Sequence, residues 1–345
     1  MKTDPEQELR DRTPLGLFGQ LHMPLLSSEA LHGNPLGDPN KREVPVYVPP
    51  HASGEKFPVV LLLSAFTGTP YALFEAHPWK RGALWTYDQA VQAGQAKPAI
   101  LCMPNTFTRL GGSQFVNSSA VGSYQDYILR EVLPFVAKRY PADPRRQGVL
   151  GKSSGGFGAL HLCTQAPGTF QAAASIAGDC HFEYVFGSEL LAGLRGLQAF
   201  DRDPQRFLDA FFEKPDLKGD GHAVLNMLAM AACYSPNPKA PLGFDLPVDL
   251  ETGERLPEVW ERWLAYDPVQ AIPKAPQGLQ ALDWLYLEAG TRDEFHLQFG
   301  LRILCKRLQA AGIAFEHHEF DGGHFGMDVR FQKVLPQMTA ALHAL

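Results

Sequence analysis

The sequence predicts an α/β protein: a mostly parallel central sheet, helices on both faces, and a mainly helical insertion in the second half. Three observations carry this. Continuous apolar runs at 58–64, 98–103 and 172–177 read as short strands, the first two buried on both faces. They alternate with helical stripes, the pattern of strand–helix–strand crossovers that builds a parallel sheet. Between 182 and about 272 the alternation stops, and it resumes with a strand at 282–287. A chain of 345 residues holds one large unit of this kind. One unit over 1–345 is expected, with 1–15 as a polar, mobile lead and 182–272 as an insertion or cap within it.

Composition narrows the function classes. Hydrophobic content of 45% and charged content of 20% are those of an ordinary soluble globule. A net charge of −6 gives no electrostatic case for nucleic acid or an anionic membrane. The first ten residues have no apolar core, so no signal peptide is expected, and the longest apolar run, 59–65, is far too short to span a bilayer. Five scattered cysteines without a Cys-x-x-Cys suggest free thiols in a reducing compartment, hence a cytoplasmic location.

The elements follow in order. Strands at 18–26 and 44–48, joined by a turn-rich link at 29–40, form an antiparallel edge. The 58–64 strand leads into the loop 65–70. A helix at 87–93 precedes the 98–103 strand. The loop 104–122 is long, rich in Gly, Ser and Asn, and carries Phe107, Arg109 and Phe115 at a strand end, where sites form in open sheets. The stripe Tyr124, Ile128, Val132, Phe135, Val136 predicts a helix over 124–140, ended by Pro141 and Pro144. Strand 147–150 and helix 157–163 flank a glycine-rich turn, and strand 172–177 follows. The insertion carries helices at 188–197, 204–212, 222–233 and 258–264 and no clear strand. After the 282–287 strand come a loop at 288–294, a helix at 295–311 stopped by Gly312, a last strand at 314–320, a loop at 321–326 and a final helix from 328 that Pro336 restarts or kinks.

The glycine-rich turn is Gly151-Lys152-Ser153-Ser154-Gly155-Gly156. A Gly-x-Ser-x-Gly between a strand and a helix is a nucleophile elbow: glycines let strand and helix close on both sides, and the serine hydroxyl stands above the sheet edge. The helix N-terminus beyond it offers amide donors to an oxyanion. A phosphate-binding reading fails, because Lys152 comes too early for Gly-x-x-x-x-Gly-Lys-Ser/Thr. Ser153 is therefore the expected nucleophile. An acid and a histidine should follow, each after a later strand. Of twelve histidines, only His324 sits in the loop after the final strand, between Gly323 and Gly326. His317 and His318 lie within that strand and point to opposite faces. Asp293 and Glu288 both qualify as the acid; Asp293 lies deeper in its loop and is preferred. The order Ser153, Asp293, His324 defines a serine hydrolase forming an acyl-enzyme. The amides of Ser154 and of Phe66, with Ala65 as the alternative to Phe66, would hold the oxyanion.

These motifs resemble the putative-esterase family of α/β-hydrolases, which includes S-formylglutathione hydrolase, the enterochelin esterases and the mycolyltransferases. The resemblance runs from about residue 43 to the end. It rests on Val46-Tyr-Val-Pro-Pro50, the 58–64 strand, 117–127, Gly151–Gly156, Gly290-Thr-Arg-Asp-Glu294 and Gly322-Gly-His324. It implies a serine esterase or acyl-transfer enzyme acting on a small-molecule ester, with no metal and no organic cofactor, and it supports Asp293 over Glu288. The chain departs from the family at Ser64-Ala65, where a His-Gly is common, and it lacks the large N-terminal domain of the enterochelin esterases.

Other residues have two readings. Lys152 favours an anionic substrate or makes a salt bridge. Asp179 and His181, at a strand end beside the elbow, line the pocket, or Asp179 caps a helix instead. Glu316, His317, His318 and His324 do not make a metal site, since strand alternation splits them, and 216–221 resembles a calcium loop only superficially. Two rivals to the esterase reading stand: an acyltransferase with the same triad, and a non-catalytic binding protein on the same fold. Oligomeric state and ester specificity are not encoded in any motif.

Overall fold

The computed structural model describes residues 16–75 and 82–345. The polar lead expected over 1–15 lies outside the described residues. The central sheet has eight strands, numbered here along the chain: β1 Gln20–His22, β2 Val46–Val48, β3 Phe57–Leu63, β4 Ile100–Cys102, β5 Ala142–Lys152, β6 Ala172–Ile176, β7 Trp284–Gly290 and β8 Glu316–Phe320. Their spatial order is β1-β2-β4-β3-β5-β6-β7-β8. The β1–β2 and β2–β4 pairs are antiparallel and the rest are parallel. Every residue of β3 and β6 is buried, as expected for strands covered on both faces.

Glycine positions show how the faces are covered. Strand residues alternate sides, so Gly148 and Gly151 of β5 face opposite ways. A Cβ at Gly148 would meet Met338 and Leu342 of the last helix at 2.9 and 3.0 Å. A Cβ at Gly151 would meet the backbone of Gly155 at 2.2 Å. The helix Ala83–Gln92 (α1) and the last helix pack together on the Gly148 side. The elbow helix closes on the Gly151 side.

The structure corrects several boundaries. The strand expected over 18–26 divides: Pro24 lies between β1 and a second piece, Leu25–Ser27, which pairs instead with Lys41–Glu43. The helix over 124–139, α2, is π-helical through Tyr127–Val132. Strand β5 runs to Lys152, and the elbow helix, α3, spans Ser154–Gln165 rather than starting at 157. Gly155 and Gly156 are inside that helix because a side chain there would strike the sheet. Strand β7 extends to Gly290, so Glu288 is a strand residue and not a loop residue.

The segment 182–272 carries α4 Gly187–Leu197, α5 Pro204–Glu213, α6 Gly221–Tyr234 and α7 Pro257–Leu264, with only isolated bridges at Pro236–Phe244 and Val248–Arg255. Helix α6 is buried almost all round. Gly193 and Gly196 let α4 close on it: a Cβ at Gly196 would meet Val224 at 2.5 Å. Phe182, Phe186, Tyr234 and Trp263 form an aromatic cluster that reaches Phe157 of α3, with the Phe182 and Tyr234 centroids 5.2 Å apart. Buried Asp267 ties the two ends of the segment, accepting hydrogen bonds from the amides of His181 (2.9 Å), Phe182 (2.8 Å) and Val269 (3.0 Å). Helices α8 Leu297–Ala310 and α9 Phe331–His343 complete the fold. All five cysteines are buried and unpaired. Among the described residues no helix is long and apolar enough to cross a membrane.

Candidate active site

One residue separates β5 from α3, so the chain must reverse in a single step. That residue is Ser153, with φ 54° and ψ −128°, a region that costs a non-glycine residue about 1–3 kcal/mol. Its surroundings hold it there. The Ser153 amide donates to Ile176 O at 2.9 Å, and its carbonyl accepts from the Phe157 amide at 3.0 Å. Gly155 sits where a Cβ would lie 2.3 Å from Leu63 O, and Gly156 where one would lie 2.8 Å from Gly178 Cα. The hydroxyl therefore projects from a fixed backbone.

His324 comes from the loop after β8, and its Nε2 lies 2.9 Å from Ser153 Oγ. Glu294 shapes that loop by accepting the His324 amide at 2.6 Å. The Phe295 ring packs edge-on against the imidazole, centroids 4.7 Å apart. Asp293 follows β7 and is fully buried at its side chain. One carboxylate oxygen accepts from the Phe295 amide at 2.9 Å; the other lies 2.8 Å from His324 Nδ1. With Nδ1–H donating to the carboxylate, Nε2 is left as an acceptor for the serine proton. Gly290 lets the two loops meet: a Cβ there would lie 2.4 Å from Gly322 O. Glu288 is occupied elsewhere. It is buried in β7 and held by the Arg330 guanidinium at 2.7 and 2.8 Å and by Tyr286 Oη at 2.8 Å.

Ser153 and His324 open on a cavity of about 310 Å³. Phe66 and Ser154 line it. Ser154 opens α3, so its amide has no acceptor one turn back. The loop 65–70 is shaped by Thr67 at φ 58°, whose amide donates to Gly111 O at 2.8 Å. Lys152 also lines the cavity, but its ammonium is ion-paired with Asp328. Asp179 lies in the wall, 6% exposed, and accepts from Ser154 Oγ at 3.4 Å. Burial pushes its carboxyl up to about 6, against the pull of His324. His181 does not line this cavity; its ring stacks on Tyr184 at 3.9 Å and its left-handed backbone opens a short helix.

The sequence expectations missed the opposite wall. Val185, Phe186 and Glu189 reach it from the start of the insertion, and His222 and Asn226 from α6. His222 and Asn226 are four apart and polar on an otherwise apolar helix, a signal that both point to a polar space. Phe107, Arg109 and Phe115 of the long loop do not line the cavity. Phe115 instead packs under Gly158 of α3, and the Arg109 guanidinium lies over the Phe212 ring at 4.0 Å. His317 and His318 face Glu319 and Glu316, at 3.8 and 3.5 Å. Among the described residues no three His, Cys, Asp or Glu side chains cluster as metal ligands would.

A family model described as "Putative esterase" matches residues 39–342. S-formylglutathione hydrolases of Mus musculus and Bos taurus are similar over 160 residues, at 24% and 26% identity, covering 41% of this chain and 53% of theirs. The chain thus spans about half the length of the curated relatives it matches. Among solved structures, a ferulic acid esterase superposes with a TM-score of 0.59 at 18% identity, over 95% of this chain and all of that one. An S-formylglutathione hydrolase from Agrobacterium tumefaciens superposes with a TM-score of 0.57 at 16% identity, over 96% and 98%.

Proposed function

The chain belongs to the putative esterase family of α/β-hydrolases, and from that premise we propose that it hydrolyses carboxylic esters with Ser153, His324 and Asp293 as its catalytic triad. The observation that supports this most is the unbroken hydrogen-bonded line from Ser153 Oγ through both ring nitrogens of His324 to Asp293, drawn from three loops far apart in sequence. His324 Nε2 takes the Ser153 proton as Oγ attacks the ester carbonyl. Asp293 fixes the tautomer and stabilises the imidazolium. The amides of Ser154 and Phe66 receive the oxyanion, each contributing about 3 kcal/mol. The tetrahedral intermediate collapses, the C–O bond to the leaving alcohol breaks, and His324 returns the proton to that oxygen. Water, with its proton taken by His324, then cleaves the acyl-Ser153 ester and frees the acid.

In this reading 182–272 is the cap of a single unit, and it completes the wall of the cavity opposite the sheet. The test is mass spectrometry after exposure to a fluorophosphonate, with Ser153→Ala as control. A single adduct on the peptide carrying Ser153, absent from the variant, is the expected result. An unlabelled folded protein, or an adduct at another serine, overturns the assignment.

A further inference from the structure

The cavity at Ser153 is unequal in charge. Among the described residues, Asp179, Glu189 and Asp328 line it against one cation, Lys152. Lys152 is committed to Asp328. Glu189 reaches the cavity from α4, and among the described residues no cation and no hydrogen-bond donor meets its carboxylate. Burial, with Asp220 nearby, holds its pKa above the usual range. Glu189 is half-buried; Asp179 is buried, and its hydrogen bonds come from neutral Ser154 and Gln114. Among the described residues neither carboxylate is ion-paired with a lysine or arginine, and a bound cation would offset part of their desolvation.

The rest of the lining suits the same ligand. Phe66, Phe186, Phe295 and Phe325 contribute aromatic rings. Phe325 is 74% exposed, and its ring lies 6.1 Å from that of Phe295. Aromatic faces attract ammonium groups, and most strongly where water is scarce. The rings also say which part of the ester bears the charge. The leaving group must lie against His324, which returns its proton, and Phe295 and Phe325 flank that imidazole at 4.7 and 5.9 Å.

We propose that the cavity takes esters or thioesters whose alcohol or thiol part carries an ammonium group, protonated or quaternary, with Glu189 as the specificity-determining carboxylate and the phenylalanine rings as its partners. This rests on the ester-hydrolase reading above and adds the substrate class. A neutral ester gains from neither feature, and an anionic one is repelled by both walls.

The test compares kcat/KM for acetylthiocholine, for its neutral isostere 3,3-dimethylbutyl thioacetate, and for the anionic S-acetyl-3-mercaptopropionate, following released thiol. The cation is expected to exceed the neutral thioester by about tenfold or more, with the anion slowest. Glu189→Gln is expected to lower the cation-to-neutral ratio at least about threefold, whereas Glu258→Gln, on the exposed face of α7, leaves that ratio unchanged. A ratio of one or less, or one that Glu189→Gln does not move, overturns the inference. Calorimetric titration with tetramethylammonium separates the two readings, because it needs no turnover. Binding that weakens in Glu189→Gln supports the inference even if no thioester is cleaved, and the failure then falls on the hydrolase reading. No binding heat in the folded protein overturns the inference whatever the activity.

Discussion

The ends of β5, β7 and β8 and the segment 182–272 face each other across one cavity, yet they are built on different principles. At the strand ends, each side chain of the proposed triad is fixed by its own few residues. Ser153 is held in a left-handed turn by glycines at 151, 155 and 156, Asp293 by the amides it accepts, and His324 by Glu294. In the insertion, Glu189, His222 and Asn226 are placed by packing at a distance: Gly193 and Gly196 set the α4–α6 approach, and Asp267 ties the ends together. The difference teaches that the proposed catalytic side chains are placed locally, whereas the wall facing them is placed by packing at a distance.

The largest expected effect breaks the first region. Ser153→Ala should lower kcat/KM for p-nitrophenyl acetate by about 10⁴-fold or more, with an unchanged circular dichroism spectrum. Asp293→Asn should cost about 10³–10⁴-fold, because the imidazole loses its fixed tautomer. Glu288→Gln sharpens the contrast. It should leave kcat within about tenfold but lower stability by about 3 kcal/mol, since Arg330 loses a buried partner. Denaturant unfolding reads the stability loss, and steady-state kinetics the activity.

Gly155→Ala tests the steric basis of the elbow. Its Cβ would lie 2.3 Å from Leu63 O, backbone that cannot yield, so a loss of about 4 kcal/mol and of fluorophosphonate labelling is expected. Trp263→Ala tests the insertion. Trp263 is buried and donates to Ser235 Oγ at 2.9 Å, so its removal should cost about 3–4 kcal/mol. Because it touches the cap and not the triad, KM should move more than kcat. The smallest effect concerns Asp179. Its folded pKa, about 6, is above the ordinary carboxyl value of 3.8. The folded state thus holds the proton more tightly, and stability falls as pH rises from about 4 through 6, by up to about 3 kcal/mol. Asp179→Asn should flatten that loss in melts recorded between pH 4 and 8.

How much of this was legible in the sequence follows the same division. Gly151–Gly156 could be read because one residue between a strand and a helix permits few conformations, and Asp293 and His324 because each follows its own strand. Glu288 competes with Asp293 only if β7 stops at residue 287; three more strand residues, to Gly290, place its carboxyl on Arg330. The helices of the insertion were legible from their apolar stripes, but which of their polar residues reach Ser153 was not, since no period within a helix encodes its distance from another. The polar pair His222 and Asn226 was the one available clue. His181 is expected at the cavity because, like Asp179, it follows β6. Its left-handed backbone opens a short helix, and its ring stacks on Tyr184 instead.

The most direct test of the central claim is the intact mass of the protein quenched within seconds of mixing with p-nitrophenyl trimethylacetate, a slowly deacylating ester. The account predicts one added acyl group, mapped by peptide digestion to Ser153, forming far more slowly in Asp293→Asn and at an unaltered rate in Glu288→Gln. An acyl group on another residue, or formation that Asp293→Asn leaves unchanged and Glu288→Gln abolishes, would contradict it.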